Sequence, residues 1–138
     1  MNVVGTQRKK SINGGCNNID MNSRNKGKEG ERQLAKKLQE YGFATRRGQQ
    51  YCGIQGNADV VGLDGIHIEC KRCEQVRDEV FLQQAERDAK EGEIPVVMYR
   101  RNHEEWKVTL RLEDFMTIYK SFLQNRTKSE KEYCIVSV

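Results

Sequence analysis

Two carboxylates and a lysine lie on the strands of one predicted hairpin, the segment ADVVGLDGIHIECK at residues 58–71. Asp59 begins the first apolar strand of the hairpin, and Glu69 and Lys71 lie inside the second. Charged side chains in a sheet are costly unless something compensates them. A divalent cation between the two carboxylates would remove their mutual repulsion, and oxygen ligands favour a hard ion, Mg²⁺ or Mn²⁺. Lys71 could then orient an attacking water or stabilise negative charge that develops on a phosphate.

The turn of this hairpin decides whether the two carboxylates share a face of the sheet. A two-residue turn at 64–65 would put Asp59 and Glu69 on opposite sides. A three-residue turn at 63–65, with Gly65 in the left-handed position of a bulge, pairs Asp59 directly with Glu69. This second register also separates the small apolar residues from the charged ones, so it is the register we predict. Directly opposite residues have Cβ atoms roughly 4.5–5.5 Å apart.

A third acid, Glu31, lies on the helix predicted in the segment KGKEGERQLAKKLQEYGF. Glu31 comes three and four residues before Leu34 and Ala35, so it lies on or next to the stripe that packs against the sheet. An acid in that place needs a partner, and a metal site would supply one. The alternative is a glutamate at the rim that extends to water, and helical spacing alone favours this alternative.

The remaining patterns predict the elements that position these residues. Helical and alternating spacings give the order α-β-β-β-α-β-β-α, a mixed sheet flanked by helices in one α/β or α+β domain. The last helix, LEDFMTIYKSFL, has an apolar face. We predict a flexible basic arm at 1–24, the domain at 25–123, and a tail at 124–138 that adds an edge strand or frays. Glycines predict a mobile loop at 48–57.

Basic side chains are concentrated near the start of the chain. Residues 1–47 hold 11 Lys and Arg against 4 Asp and Glu, whereas residues 48–138 hold 13 against 16. Such a basic segment is typical of nucleic-acid contact, although a solvated surface has the same charge pattern. There is no apolar run of 18 residues, so no membrane span is predicted. The five cysteines, an odd number, fit a reducing cytoplasm better than a disulfide framework.

Three residues near these charges receive structural interpretations. Cys70 and Cys73 lack the second pair of ligands that a zinc site needs, so Cys70 is predicted to be a core residue behind the charged face. His67 is interpreted as an ordinary surface histidine. Trp106, at strand spacing, is predicted to belong to the core rather than to stack on a base.

The chain resembles the PD-(D/E)XK nuclease superfamily. Its D…E-x-K pattern consists of Asp59, nine intervening residues and then Glu69-Cys70-Lys71. The chain also resembles archaeal-type Holliday junction resolvases. The resemblance lies in segments that follow one another in this order: KGKEGE, GF, an arginine-bearing strand, a glycine-rich loop, ADVV, GIHIECK and a helix with QA. They resemble more closely a bacteriophage group of resolvases or PD-(D/E)XK endonucleases. The resemblance covers residues 24–123 and implies a restriction-endonuclease-like core. Ala58 stands where the superfamily usually has proline, at a position that shapes the strand.

The resemblance also implies a role for individual residues. Glu31, Asp59 and Glu69 would be metal ligands with a part in catalysis, Lys71 the catalytic lysine, and Gln84 a helix glutamine near the site. The candidates for DNA contact are Lys26, Lys28, Arg46, Arg47 and Arg72. The implied reaction is hydrolysis of phosphodiester bonds with Mg²⁺, for which Mn²⁺ can substitute.

The resemblance implies partners as well as chemistry. Resolvases of this kind act as homodimers on branched DNA, so a four-way junction and a second copy are expected, in the cytoplasm of a bacterial or phage-infected cell. Three alternatives stay open: a general or nicking DNase, a nuclease that acts on RNA, and a nucleic-acid-binding module without turnover. The presence of Asp59, Glu69 and Lys71 together argues against the last, whereas nothing in the sequence separates the nucleases.

Overall fold

The computed structural model describes residues 17–49 and 57–136. Its elements are α1 (Asn17–Gln39), β1 (Arg46–Arg47), β2 (Val60–Val61), β3 (Ile66–Arg72), α2 (Asp78–Asp88), β4 (Ile94–Arg100), β5 (Lys107–Thr109) and α3 (Leu112–Val136). This order is the one predicted from the sequence patterns, and the mixed α/β class with a restriction-endonuclease-like core is confirmed. No helix within the described ranges is long and apolar enough to cross a membrane.

The five strands form one mixed sheet in the order β1-β2-β3-β4-β5. β1, β2 and β3 are antiparallel neighbours, β3 and β4 run parallel, and β5 is antiparallel to β4. Parallel neighbours need a long crossover connection, which α2 provides. Val60 pairs with Ile68, as the three-residue turn requires, and Gly65 has a φ of 76° in the left-handed region. The predicted hairpin register is therefore confirmed.

Helices α1 and α2 cover opposite faces of this sheet. Leu34 of α1 packs in a buried cluster with Ile68 and Met98. Leu82 of α2 packs in a second buried cluster with Val97. Because successive residues of a strand point to opposite faces, the neighbours Val97 and Met98 assign the two clusters to the two sides of the sheet. The central strands β3 and β4 are thus covered on both faces.

The structure tests the three structural interpretations. Cys70 belongs to the buried cluster beneath α1, and Trp106 packs against the same cluster, so both predictions are confirmed. The interpretation of His67 as a surface residue is wrong, because its side chain is only 1% exposed. Its Nδ1 lies 3.5 Å from a carboxylate oxygen of Glu93. The parallel strand β4 and its preceding turn cover this position, which alternation along β3 alone does not reveal.

Both ends of the described chain contain more helix than the patterns predict. Helix α1 begins at Asn17, inside the segment 1–24 that we expected to be a flexible arm. The edge strand expected within 124–138 is wrong, because α3 continues to Val136. Its second half is rich in Lys, Glu, Gln and Arg, which favour helix, and it contains no Gly or Pro to end one. Residues 1–16 of the predicted arm and 50–56 of the predicted mobile loop lie outside the described residues.

Candidate active site

The predicted site residues meet at one end of the sheet. Asp59 immediately precedes β2, and because β2 is antiparallel to β3, its start lies at the end of β3 that carries Glu69 and Lys71. Glu31 approaches this place from α1, and Gln84 approaches it from α2. A pocket of about 370 Å³ is lined by all five of these residues. The structure therefore brings together every residue that was predicted to take part in catalysis.

Asp59 is fixed by hydrogen bonds from both its backbone and its side chain. Its N–H donates to the carbonyl of Ile68 at 2.9 Å, and its own carbonyl accepts from the N–H of Gly48 at 2.7 Å. Its carboxylate oxygen Oδ2 accepts from the backbone N–H of Cys70 at 2.8 Å. The side chain thus satisfies a backbone donor of the central strand, which holds the carboxylate against the end of the sheet.

Burial gives Asp59 an unusual affinity for its proton. The residue is 9% exposed, and the pKa of its carboxyl is raised from the ordinary value of 3.8 to about 7, chiefly by this burial. The neighbouring charge of Glu69, itself 3% exposed, is the second cause of this increase, whereas the hydrogen bond from Cys70 lowers the pKa. A buried carboxylate disfavours its charged form, and a second carboxylate nearby adds to the effect. The positive charge of Lys71, which lowers the pKa of Asp59, offsets these effects only in part.

Lys71 is held between the acid of its own strand and the glutamine of α2. Its Nζ lies 2.6 Å from Oε1 of Glu69 and donates to Oε1 of Gln84 at 3.0 Å. The same nitrogen lies 5.4 Å from the centre of the Phe81 ring. Phe81 is a site residue that the sequence reasoning missed. Its signal was its place three residues before Gln84, which puts both side chains on the same face of α2.

The structure excludes one of the two alternatives for Glu31, and its role as a metal ligand stays a prediction. Its side chain is only 13% exposed, so it is not a rim glutamate that reaches water. Its carboxylate accepts from Nε of Arg47 on β1. This ion pair joins α1 to the first strand and lies at the wall of the pocket. Arg47, predicted to contact DNA, thus has a partner within the chain.

Comparison with known proteins identifies the family. The model of a family described as "Phage putative PDDEXK endonuclease" matches residues 22–137. The chain belongs to this family. The predicted membership of the PD-(D/E)XK superfamily is confirmed, and the family is one of endonucleases, whose substrate is DNA. No curated protein and no solved structure matches the chain.

The five basic residues predicted to contact DNA do not all lie at the pocket of this PD-(D/E)XK endonuclease. Lys26 and Arg72 line the pocket. Lys28 and Arg46 are exposed but do not line it, and Arg47 is paired with the acid of α1. Only two of the five therefore line the pocket, and a third, Arg47, contacts Glu31 at its wall.

A glycine lets helix α1 approach the end of β3 closely enough to complete the pocket. Gly30 is buried, and a Cβ on it would lie 3.0 Å from the Cβ of Arg72. Few Cβ atoms come that near to another side chain. The absence of a side chain at Gly30 thus lets Glu31, its neighbour, lie at the wall of the pocket.

The donor set fits a divalent ion held by two carboxylates. Among the described residues, no three His, Cys, Asp or Glu side chains are grouped so that they could hold a metal ion. Mg²⁺ commonly uses only one or two protein carboxylates, with water and substrate phosphates completing its coordination. Asp59 and Glu69 meet that requirement, and the raised pKa of Asp59 agrees with a place where a cation would relieve electrostatic cost. PD-(D/E)XK nucleases generally use divalent metals.

Proposed function

We propose that this PD-(D/E)XK endonuclease hydrolyses phosphodiester bonds in branched DNA, as a Holliday junction resolvase that acts as a homodimer with Mg²⁺ or Mn²⁺. The observation that carries the proposed catalysis is the group of Asp59, Glu69 and Lys71 around one pocket, with both carboxylates buried. The resemblance of segments 24–123 to resolvases supports the branched substrate. Metal dependence is supported by two buried carboxylates, which offer hard oxygen ligands, and by the raised pKa of Asp59.

In the proposed mechanism, Asp59 and Glu69 would hold a divalent ion, and that ion would supply positive charge to the scissile phosphate and to the leaving oxygen. The hydrogen bond from Cys70 keeps the Asp59 carboxylate in place without further reorganisation. Glu69 also accepts from Lys71 and so orients the ammonium towards the same place.

Lys71 supplies a fixed positive charge and a spare proton donor. An ammonium has three N–H groups, and Glu69 and Gln84 accept from two of them. The third can hold a water in line with phosphorus or donate to a phosphate oxygen as negative charge develops there. Such preorganised donors are worth roughly 10²–10³ in rate when they contact the developing charge.

Basic residues beside the pocket support nucleic acid as the substrate. Lys26 and Arg72 adjoin the carboxylates, and Lys28 and Arg46 lie exposed on α1 and β1. Cations at such positions neutralise backbone phosphates and fix the register of the DNA without reading its sequence. A substrate recognised by its shape fits this arrangement.

The test is a cleavage assay on two labelled substrates of matched sequence, a four-way junction and a linear duplex, with Mg²⁺, Mn²⁺ or EDTA. The variants are Asp59→Asn and, as the matched control, Asp64→Asn, which makes the same chemical change in the exposed turn of the same hairpin. We expect paired symmetric nicks on the junction alone, lost in EDTA and with Asp59→Asn and kept with Asp64→Asn.

Other results would separate the alternatives. Equal cutting of both substrates would keep the nuclease and refute the junction preference. Cutting of RNA in preference to DNA would refute the choice of substrate. Tight junction binding without cutting in either metal would leave a binding module and refute the enzyme.

A further inference from the structure

Helix α3 carries an apolar stripe that the described part of the chain leaves uncovered. Every residue from 112 to 129 is exposed except Asp114, which is half-buried. Seven large apolar side chains of this helix are between 39% and 76% exposed, and all of them except Ile118 lie along one side of it. We call the other six the α3 stripe: Leu112, Phe115, Met116, Tyr119, Phe122 and Leu123.

The spacing of the α3 stripe is that of a helix–helix interface. Its members recur at intervals of three and four residues, so they lie along one side of the helix. Phe115, Tyr119 and Phe122 form a continuous row of stacked rings, with centres 6.3 Å apart at each step. The guanidinium of Arg126 lies 5.8 Å from the Phe122 ring and extends the row.

The body of the domain holds α3 only near its start. Arg111, directly before the helix, pairs with Glu79 and Glu86 of α2 at 2.9 and 2.7 Å. These contacts are exposed to solvent, and exposed ion pairs contribute little stability. An amphipathic helix obtains most of its stability from packing of its apolar face. A helix of 25 residues with an uncovered apolar stripe therefore needs a partner.

We propose that α3 pairs in antiparallel orientation with α3 of a second copy of this chain. About half of each side chain in the α3 stripe is exposed, which leaves roughly 100 Å² per side chain and about 600 Å² per copy. Two copies would bury about 1,200 Å², the lower limit of a standard stable interface. The exposed area of each copy lies at the upper end of the largest apolar patch that a typical monomer exposes, about 300–600 Å².

Charge along α3 selects the antiparallel orientation. Glu113 and Asp114 lie in the first turn, whereas Lys120, Arg126 and Lys128 follow in the second and third quarters. In a parallel pair, like charges would lie side by side. In an antiparallel pair centred on the α3 stripe, the acidic first turn of each copy lies beside the basic segment of the other. The two helix dipoles then run in opposite directions, which is also favourable.

The proposed interface is separate from the pocket, since none of the residues that line the pocket belongs to α3. The inference rests on the homodimer of the proposed function and names the surface that would join the two copies, but it does not depend on the chemistry of the pocket. Failure of the cleavage assay would leave the association of α3 standing, and a monomeric protein would leave the pocket unchanged.

The first experiment is sedimentation equilibrium of the full chain from 1 to 200 μM, with Phe122→Asp and the matched control Thr117→Asp. Thr117 is exposed on the other side of the same helix. We expect a dimer for the wild type and for Thr117→Asp, and association at least about 100-fold weaker for Phe122→Asp, because each dimer would bury two charges in apolar contact. Far-UV circular dichroism should show helical signal that rises with concentration along the same curve.

The second experiment tests orientation by charge reversal. Glu113→Lys with Asp114→Lys should weaken the dimer, and adding Lys120→Glu with Arg126→Glu should restore it, since complementarity returns only in an antiparallel pair. A wild type that stays monomeric at 200 μM would overturn the proposal, as would equal association of Phe122→Asp and Thr117→Asp. Failure of the fourfold variant to recover would overturn the antiparallel orientation, and assembly only with added DNA would assign the stripe to nucleic acid.

Discussion

Replacing Asp59 with asparagine should stabilise the metal-free protein while it abolishes cleavage. The substitution removes one of two buried carboxylates and keeps an oxygen that can accept from the N–H of Cys70. It therefore removes electrostatic cost without leaving that buried donor unpaired. A charge that lowers the stability of the fold, as that of Asp59 does, is expected where the function of the protein needs it.

The size of the effect follows from the pKa of Asp59. In the unfolded chain the carboxyl ionises near its ordinary value of 3.8, whereas in the folded protein it ionises near 7. The folded state therefore holds a proton that the unfolded state has lost between about pH 4 and pH 7, and the wild type loses stability as pH rises through that window. Above pH 7, this difference in pKa lowers the free energy of unfolding of the wild type by about 4 kcal/mol. Asp59→Asn can therefore raise the free energy of unfolding by no more than this amount.

The assay is urea unfolding of the wild type and Asp59→Asn at pH 5 and pH 8 in EDTA. The variant should be more stable at pH 8 by about 1–4 kcal/mol, and the gap between the two proteins should widen by at most about 3 kcal/mol from pH 5 to pH 8. Mg²⁺ should then raise the stability of the wild type and leave the variant unchanged.

Asp64→Asn is the control, because it makes the same change at an exposed turn and should have no such dependence on pH. The reasoning is refuted if Asp59→Asn is less stable than the wild type in EDTA at pH 8, or if the gap narrows as pH rises. Either result would mean that the ionised carboxylate stabilises the fold through contacts that outweigh burial and the charge of Glu69.

Four further predictions test the site and its supports. Lys71→Met should lower cleavage by at least about 100-fold while the affinity for uncut DNA, measured in Ca²⁺, changes little. Gln84→Ala, which removes a contact of Lys71 at 3.0 Å, should lower cleavage by about 10-fold in the same single-turnover assay. Gly48→Ala should destabilise the fold by about 2–3 kcal/mol in urea, because its Cβ would lie 2.0 Å from the carbonyl oxygen of Ala58, whereas Gly27→Ala, with open space, should not. Lys26→Ala should weaken DNA binding and lower the salt slope by about 1.

Local patterns in the sequence determine most of the fold. The order of elements follows from periods of apolar residues, which depend only on near neighbours along the chain. The hairpin register is also local, because the 63–65 turn and the alternation on both strands agree on the pairing of Val60 with Ile68. That register places Asp59 beside Glu69, and these two residues, Lys71 and the segments around them together indicate the superfamily.

Contacts between distant segments decided the features of the site that the sequence patterns did not predict. The pairing of Glu31 with Arg47 and the burial of His67 beneath Glu93 join residues from different elements, which no local pattern encodes.

The C-terminal segment shows the same limit. YCIVSV is compatible with a strand, yet no described strand pairs with it, and α3 runs on to Val136.

The sequence by itself therefore determined which residues could do chemistry, because type and spacing are written along the chain. Only the tertiary structure decided which side chains are desolvated, paired or left uncovered. These properties arise from the packing of several elements at once, and they produce the raised pKa of Asp59 and the exposed stripe of α3.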